Sequence, residues 1–285
     1  MRADLHTHSA RSDGTDSPVE LMAAAVAAGL DVIALTDHDT TAGWAEAADH
    51  RPRGLTVVPG VELSCASPVV GDNAVGVHLL GYLFDRGHPA FRAERARLRV
   101  SRHGRAEEMV RRMRAAGLPI EWEQVQRIAA GGPVGRPHMA LALVETGSAG
   151  TVDEAFRLHL HHGSPSYVRK ADVDVTDGVR LIRAAGGVPV LAHPLARSRG
   201  RVVGDDVLAH LAAAGLLGLE VDHPDHSDED RRHLRGLAGE LGLLCTGSSD
   251  YHGTNKRTPI GVCMTEPDVL DMIVGLSTGA TPYAD

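Results

Sequence analysis

The stretch "DLHTHS" at residues 4–9 sets His6 and His8 one residue apart, and Asp13 follows in the next turn of chain. Alternate side chains on a strand point the same way, so the two imidazoles can address one point. With a carboxylate nearby they form a nitrogen and oxygen donor set suited to a divalent cation. The same residue types return along the chain. Asp37 and His38 stand in "TDHD", Glu62 in "GVELS", His78 in "GVHLLGY", His193 in "VLAHP", and Asp250 with His252 in "SDYH". Each has an ordinary alternative. Asp13 could cap the turn at Gly14, and Asp37 or Asp39 could cap a following helix. His78 could be a hydrogen-bonded core histidine, and "AHP" could be a strand terminus before proline.

The elements that must position these residues separate the two readings. Short apolar runs predict strands near Arg2–Leu5, Asp31–Thr36, Leu55–Val61, Val75–Leu83, Val188–Ala192, Leu217–Val221 and Leu243–Thr246, with helical patterns between most of them. "SPVE" at 17–20 supplies a helix start, with Ser17 as N-cap, Pro18 in the first turn and Glu20 to complete a capping box. Alternation of this kind argues for parallel strands with helices outside, hence a barrel or a doubly wound sheet, and the carboxyl ends of such strands gather at one rim. Six of these seven strands carry His, Asp or Glu at or near the outlet. A shared centre explains that distribution better than coincidence. The donors exceed one tetrahedral ion, so two or three divalent metals are expected, and a nitrogen and oxygen set without thiolate suits manganese, iron or zinc alike.

The chain has 285 residues, 43% of them hydrophobic, enough for a substantial core. Its net charge of −8 excludes a surface coated for non-specific nucleic-acid binding. Histidine is over-used, with 17 against 3 Phe, 4 Tyr and 2 Trp. Cys65, Cys245 and Cys263 are too scattered for a thiolate site and read as reduced thiols. No apolar run reaches the roughly 20 residues of a membrane span, and the first residues resemble neither a secretory signal nor a transit peptide. A cytoplasmic location is expected, with no membrane and no obligate protein partner.

From about residue 91 the strand rhythm stops and helices follow one another. The pattern predicts an α/β barrel of residues 1–90 and 165–285 interrupted by a helical insertion over 91–164. Residues 91–114 hold nine arginines against three glutamates. Such a run is commonly a solvated helix face, but Arg95, Arg99 and Arg102 share a stripe and Arg105 lies one turn beyond Arg102. In "GGPVGRPH", at 131–138, glycines permit close backbone approach, Arg136 can grip a phosphate, and Pro137 suits the first turn of a helix whose N-terminus favours an anion.

The motifs "DLHTHS" with Asp13, "TDHD", Glu62, His78, "AHP" and "SDYH", in this order, resemble the polymerase and histidinol phosphatase (PHP) family. The resemblance implies a distorted (β/α)7 barrel with a trinuclear metal site. It implies one ion on His6, His8, Glu62 and Asp250, a second on bridging Glu62 with His78 and His193, and a third on Asp13, His38 and His252. Asp13, His38 and His252 are also the expected catalytic group. Asp4 and Asp37 would orient imidazoles, a support that metal-bound histidines commonly need. Within the family the insertion most resembles stand-alone nucleoside 3′,5′-bisphosphate phosphatases, relatives of which are 5′-to-3′ exoribonucleases of the RNase AM type. That implies phosphoester hydrolysis of a small nucleotide, with short single-stranded RNA as a second substrate and histidinol phosphate as an alternative. A metal-binding regulatory module without turnover is the rival of another class. Arg102 and Arg105, whose "RxxRA" context matches the subgroup, are the expected substrate contacts, with Arg136 and His138; Lys170 is a further candidate. His223 and His226, in "EVDHPDHS", match no family metal position and read as rim residues.

Overall fold

A computed structural model describes residues 1–67, 74–132, 134–161, 163–168 and 172–285; Lys170 lies outside the described residues. Strands β1 (Ala3–Thr7), β2 (Val32–Leu35) and β3 (Thr56–Ala66) pair in parallel. They are followed by β4 (Gly76–Tyr82), a two-residue β5 (Val173–Asp174), β6 (Val188–Ala192), β7 (Gly218–Asp222) and β8 (Leu244–Gly247). The sheet runs β1-β2-β3-β4-β6-β7-β8, with β5 added to β3. Its two edges meet where Thr7 bridges Tyr251, and His8 N donates to Tyr251 O at 2.9 Å, so the sheet is nearly closed into a barrel.

The expectation of parallel strands throughout fails at β4, which is antiparallel to both β3 and β6. Apolar alternation reads the same in either direction, so it carries no strand polarity. The connection 67–75 is shorter than the dozen or so residues of a parallel crossover. Reversal has a useful result: a residue near the beginning of β4 lies at the same rim as residues near the ends of its neighbours.

Helices α1 (Pro18–Ala27), α2 (Trp44–Asp49), α3 (Pro89–Ala115), α4 (Trp122–Ile128), α5 (Arg136–Glu145) and α6 (Val152–Ala155) precede β5. After it come α7 (Val175–Ala184), α8 (Asp205–Ala213), α9 (Asp228–Leu241) and α10 (Pro267–Leu276). The capping box at α1 forms as the sequence requires, with Ser17 Oγ accepting from Glu20 N and Glu20 Oε2 accepting from Ser17 N. Inside the barrel Leu5, Val58, Leu80, Tyr82 and Val190 pack together, and Tyr82 Oη donates to Leu5 O at 2.8 Å. Leu21, Ile33, Leu63, Val179 and Leu219 belong to the apolar cluster that the helices cover.

Residues 89–160 hold no strand among the described residues. Met109, Met113, Val125, Met139 and Leu143 form an apolar cluster of their own there. Helix α3 joins the two cores: Phe91 and Leu98 belong to the barrel cluster, Met109 and Met113 to the second one. At 27 residues it is about 40 Å long. No helix among the described residues is long and apolar enough to cross a membrane.

Candidate metal centre at the barrel rim

Strand β1 delivers the first donors. His6 Nε2 and His8 Nε2 approach to 3.0 Å, and both face Glu62 Oε2, at 3.2 and 3.1 Å, and Asp250 Oδ1, at 3.5 and 3.4 Å. A tetrahedral ion with bonds of about 2.0–2.2 Å needs ligand atoms about 3.3–3.6 Å apart. His6, His8 and Asp250 are therefore spaced to hold one cation, with Glu62 Oε2 beside the two imidazoles. All four residues are buried, and buried charge of this density requires a compensating ion or proton.

Glu62 divides its carboxylate. Oε2 takes the contacts above and lies 3.1 Å from His38 Nδ1, whereas Oε1 lies 2.7 Å from His78 Nδ1 and 3.1 Å from His193 Nε2. His38 Nδ1 and His78 Nδ1 are buried and make no hydrogen bond among the described residues, as lone pairs kept for a cation would be. The sequence reading ended the third strand at Val61, yet Glu62 lies mid-strand because β3 continues to Ala66 against β4. His78 occupies the third position of reversed β4, paired with Ser64 and Ala192, and so reaches the rim from the opposite direction.

A third group surrounds Asp13. Its Oδ1 is 3.4 Å from His252 Nε2 and 3.7 Å from His8 Nδ1, and its Oδ2 is 3.8 Å from His38 Nε2. The turn carrying Asp13 folds back on β1 so tightly that a Cβ on Gly14 would stand 2.5 Å from His8 O. Two donors are held in the left-handed region, His193 at φ 30° and Asp250 at φ 52°. Non-glycine residues persist there only when the surroundings fix them. All nine expected metal-binding residues thus converge. Among the described residues, the groupings spaced for one ion are His8 with Asp13, His38 and His252; His6 with His8 and Asp250; and His38 with Glu62 and His78.

Tautomers are set from outside. Glu220, wholly buried on β7, accepts from His6 Nδ1 at 2.9 Å and from the backbone N of His193 at 2.7 Å, and Ser248 Oγ donates to the same carboxylate. A proton held on His6 Nδ1 leaves Nε2 as a lone pair facing the centre. His252 does the same by donating from Nδ1 to Asp250 O at 2.9 Å. Sequence reasoning missed Glu220. Its signal was a carboxylate inside the apolar strand "GLEV", where only a partnered charge is tolerated.

Asp4 and Asp37 do not orient imidazoles directly. Asp4 ties chain segments together by accepting from the backbone N of Ser249 and Gly261, and Asp37 accepts from Ser9 N, Ser9 Oγ and Ser12 Oγ. Burial raises both pKa values.

The field at the centre sorts the other groups. Burial opposes charge on Asp13, Glu62 and Asp250, but neighbouring histidines, and for Asp250 also Lys256 and Arg199, hold all three well below the usual carboxylate range. Burial opposes a proton on His8, yet Asp250 and Glu62 outweigh it and lift the group to about 9. Burial wins at His38, pushed well below 6.5, and at His193, pushed to about 3 with help from Arg199. Those two imidazoles are neutral and ready to ligate.

Of the expected substrate contacts, Arg102 reaches the rim, pairing with Asp39 Oδ2 at 2.6 Å and Ser64 Oγ at 2.8 Å. Asp39, read from sequence only as a possible cap, sits at φ 54° and ties its backbone N to Glu62 O. Arg105 instead donates to Val168 O and stacks on Tyr167, at 5.2 Å. Arg136 donates to Leu160 O and lies between Phe156 and Tyr167. His138 Nδ1 accepts from Gly135 N at the start of α5. Arg95, on the same helix as Arg102, bonds Thr41 Oγ1 and Arg86 O. His226 pins two loops together, through Val221 O and Leu195 N, whereas His223 points to Asp250.

Residues 4–102 match the PHP domain family. The chain is 33% identical to a 5′-3′ exoribonuclease of Haemophilus influenzae, covering 87% of this chain and 89% of that one. It is 35% identical to a 3′,5′-nucleoside bisphosphate phosphatase of Chromobacterium violaceum, covering 89% and 88%. It is 34% identical to a phosphoribosyl 1,2-cyclic phosphate 1,2-diphosphodiesterase of Eggerthella lenta, covering 91% and 97%. A solved structure from Bifidobacterium adolescentis, described as a candidate metal-dependent phosphoesterase, superposes with a TM-score of 0.88 at 33% identity, covering 97% of this chain and 96% of that one. With these relatives spanning nearly its whole length and a donor cluster at the rim of its barrel, the chain belongs to the PHP family of phosphoesterases.

Proposed function

We propose that this protein is a metal-dependent phosphoesterase that removes the 3′-phosphate of nucleoside 3′,5′-bisphosphates, with 5′-to-3′ trimming of short RNA as a related activity. The observation that carries the reading is the reach of Arg102 from α3 to the rim, where it meets Ser64 two residues beyond Glu62. A fixed cation beside the metal centre suits a substrate with a second phosphate. Similarity to a nucleoside bisphosphate phosphatase supports the choice of nucleotide.

His6, His8, Glu62 and Asp250 would hold one ion, Glu62 with His78 and His193 a second, and Asp13, His38 and His252 a third. Bound divalent ions supply Lewis-acid polarisation of a phosphoryl group and activation of water. The chain's own residues do the rest. Asp13, His38 and His252 form the catalytic group, the three side chains that would hold the third ion. Glu220 keeps His6 in its ligating tautomer. Arg102 binds the phosphate that is not cleaved, and Arg105, Arg136 and His138 act behind it by fixing the shape of the insertion around the substrate.

The test is a substrate panel with manganese-loaded protein: adenosine 3′,5′-bisphosphate, a 5′-phosphorylated oligoribonucleotide, phosphoribosyl 1,2-cyclic phosphate and histidinol phosphate. The bisphosphate is expected to give the highest kcat/KM. Good turnover of another ester with none of the bisphosphate overturns the substrate assignment, and no turnover of any leaves the non-catalytic module as the answer.

A further inference from the structure

Asp250 turns its two oxygens to different surroundings. Oδ1 faces the histidines of the metal centre, whereas Oδ2 faces Arg199 Nη2 at 2.5 Å, Lys256 Nζ at 2.6 Å and His223 Nε2 at 3.5 Å. These three come from the outlets of β6, β8 and β7, three neighbouring strands of the barrel. None is among the nine residues assigned to the metals.

The three are built to meet an oxygen-rich ligand. Arg199 Nε bonds Asp225 Oδ2 at 2.7 Å, which fixes the guanidinium plane. His223 is 1% exposed, and its Nδ1 accepts from Asp225 N at 3.0 Å, which leaves Nε2 as the nitrogen that donates. That Nε2 is buried and makes no hydrogen bond among the described residues. A buried donor without an acceptor is costly, and natural sites that keep one usually have an occupant for it. The Arg199 and Lys256 side chains are 33% and 31% exposed, so both cations also open outwards.

Charge counting gives the sign of the occupant. Asp225 and Asp250 balance Arg199 and Lys256. Once Asp250 also ligates a divalent cation through Oδ1, the group as a whole is positive and sits in a partly enclosed place where such excess is expensive. An anion restores the balance, and a tetrahedral oxyanion matches an arginine fork, an ammonium and an imidazole N–H converging from three sides.

We propose that Arg199, Lys256 and His223 form a second anion subsite, which grips the non-bridging oxygens of the phosphoryl group undergoing hydrolysis. It rests on the phosphoesterase reading above and adds a division of labour. The subsite at the outlets of β6, β7 and β8 takes the reacting phosphate, and Arg102 takes the other. Every phosphoester must use the first. Only a substrate with two phosphates gains from the second.

The probe is inorganic phosphate, titrated calorimetrically into the manganese-loaded full chain, with bound metal measured in each variant. R199M and K256M are expected to raise the Kd for phosphate by about tenfold or more at unchanged metal content, and R199K to retain most of the affinity. In kinetics the first two raise KM for mono- and bisphosphates alike. An unchanged Kd in R199M and K256M overturns the subsite. So does a loss of phosphate affinity that merely follows metal loss, since the cations would then serve only to neutralise Asp250. If R199M does not fold, K256M and R199K decide. Because phosphate binding is read without turnover, an inactive wild-type protein on the substrate panel would strike the functional reading separately.

Discussion

The barrel rim and the helical insertion treat their functional side chains in opposite ways. At the rim every expected donor points to one centre, and residues as far apart in sequence as His6 and Asp250 lie within 3.5 Å. In the insertion, four residues were expected to face substrate, and three of them are engaged with carbonyls, rings or a helix cap within or just after the insertion. The difference lies in what fixes direction. A strand's pleat and its outlet dictate where a side chain goes, whereas a long arginine on a helix takes whichever partner the packing offers. Burial follows suit, with Arg105 lowered in pKa by desolvation and by Arg136 nearby.

That contrast can be broken most forcefully at the rim. His193→Ala should lower kcat/KM by at least about a thousandfold, ~4 kcal/mol of transition-state stabilisation, with measured metal content falling as well. Full metal content and normal turnover would remove His193 from the centre. Next in size is Glu220→Gln, which still fills the space but no longer holds His6 and His193 by charge. Outer partners of this kind are worth about 10–100-fold in metal affinity, so activity should return when manganese is raised. Failure to rescue would mean that Glu220 supports the fold and not the ligand.

The insertion offers a paired test. Arg102→Met should raise KM for the bisphosphate about tenfold or more, besides the stability lost when buried Asp39 is left without its cation. Arg105→Met should cost about 1–3 kcal/mol of stability through the lost carbonyl and aromatic contacts while KM stays near normal. Equal kinetic defects in both would erase the distinction drawn between rim-facing and inward-facing arginines.

The smallest effect per step is in pH. His8, raised to about 9, keeps its proton at neutrality until a cation displaces it. Facing nitrogens 3.0 Å apart leave room for one proton between His6 and His8. Against the cost of burial, Glu62 and Glu220 hold His6 above its ordinary value as well, so the folded metal-free protein is the protonated partner in the exchange and metal affinity should rise by at least about tenfold per pH unit through the neutral range. Titration in buffers of different ionisation enthalpy would detect the released proton, and a pH-independent affinity would contradict it.

Much of this was legible from the residues. His6 and His8 announced themselves by alternation, and Asp37, His193 and Asp250 by following apolar runs. The direction of β4 was not, because "GVHLLGY" has the same pattern read either way and only the short connection before it forces the reversal. Glu220 escaped because one acidic residue in a strand looks like an edge position until its partners are known. Arg199, His223 and Lys256 were invisible as a group, since nothing in sequence links the outlets of three strands to the far oxygen of Asp250.

Because β4 runs backwards, it ends at the far side of the barrel from the donors, and α3 has to climb the outside to bring Arg102 back to the mouth. The helix thus works as a ruler. Its first turns are clamped below by Phe91 and Arg95, and its count of residues sets the azimuth of Arg102 at the top. Deleting a single residue between Arg95 and Arg102 would swing that guanidinium about 100° around the axis without touching a donor. Relatives with other substrates can therefore differ by the length and phase of this one helix, and a chain's preference is open to change by helix register as much as by substitution at the rim.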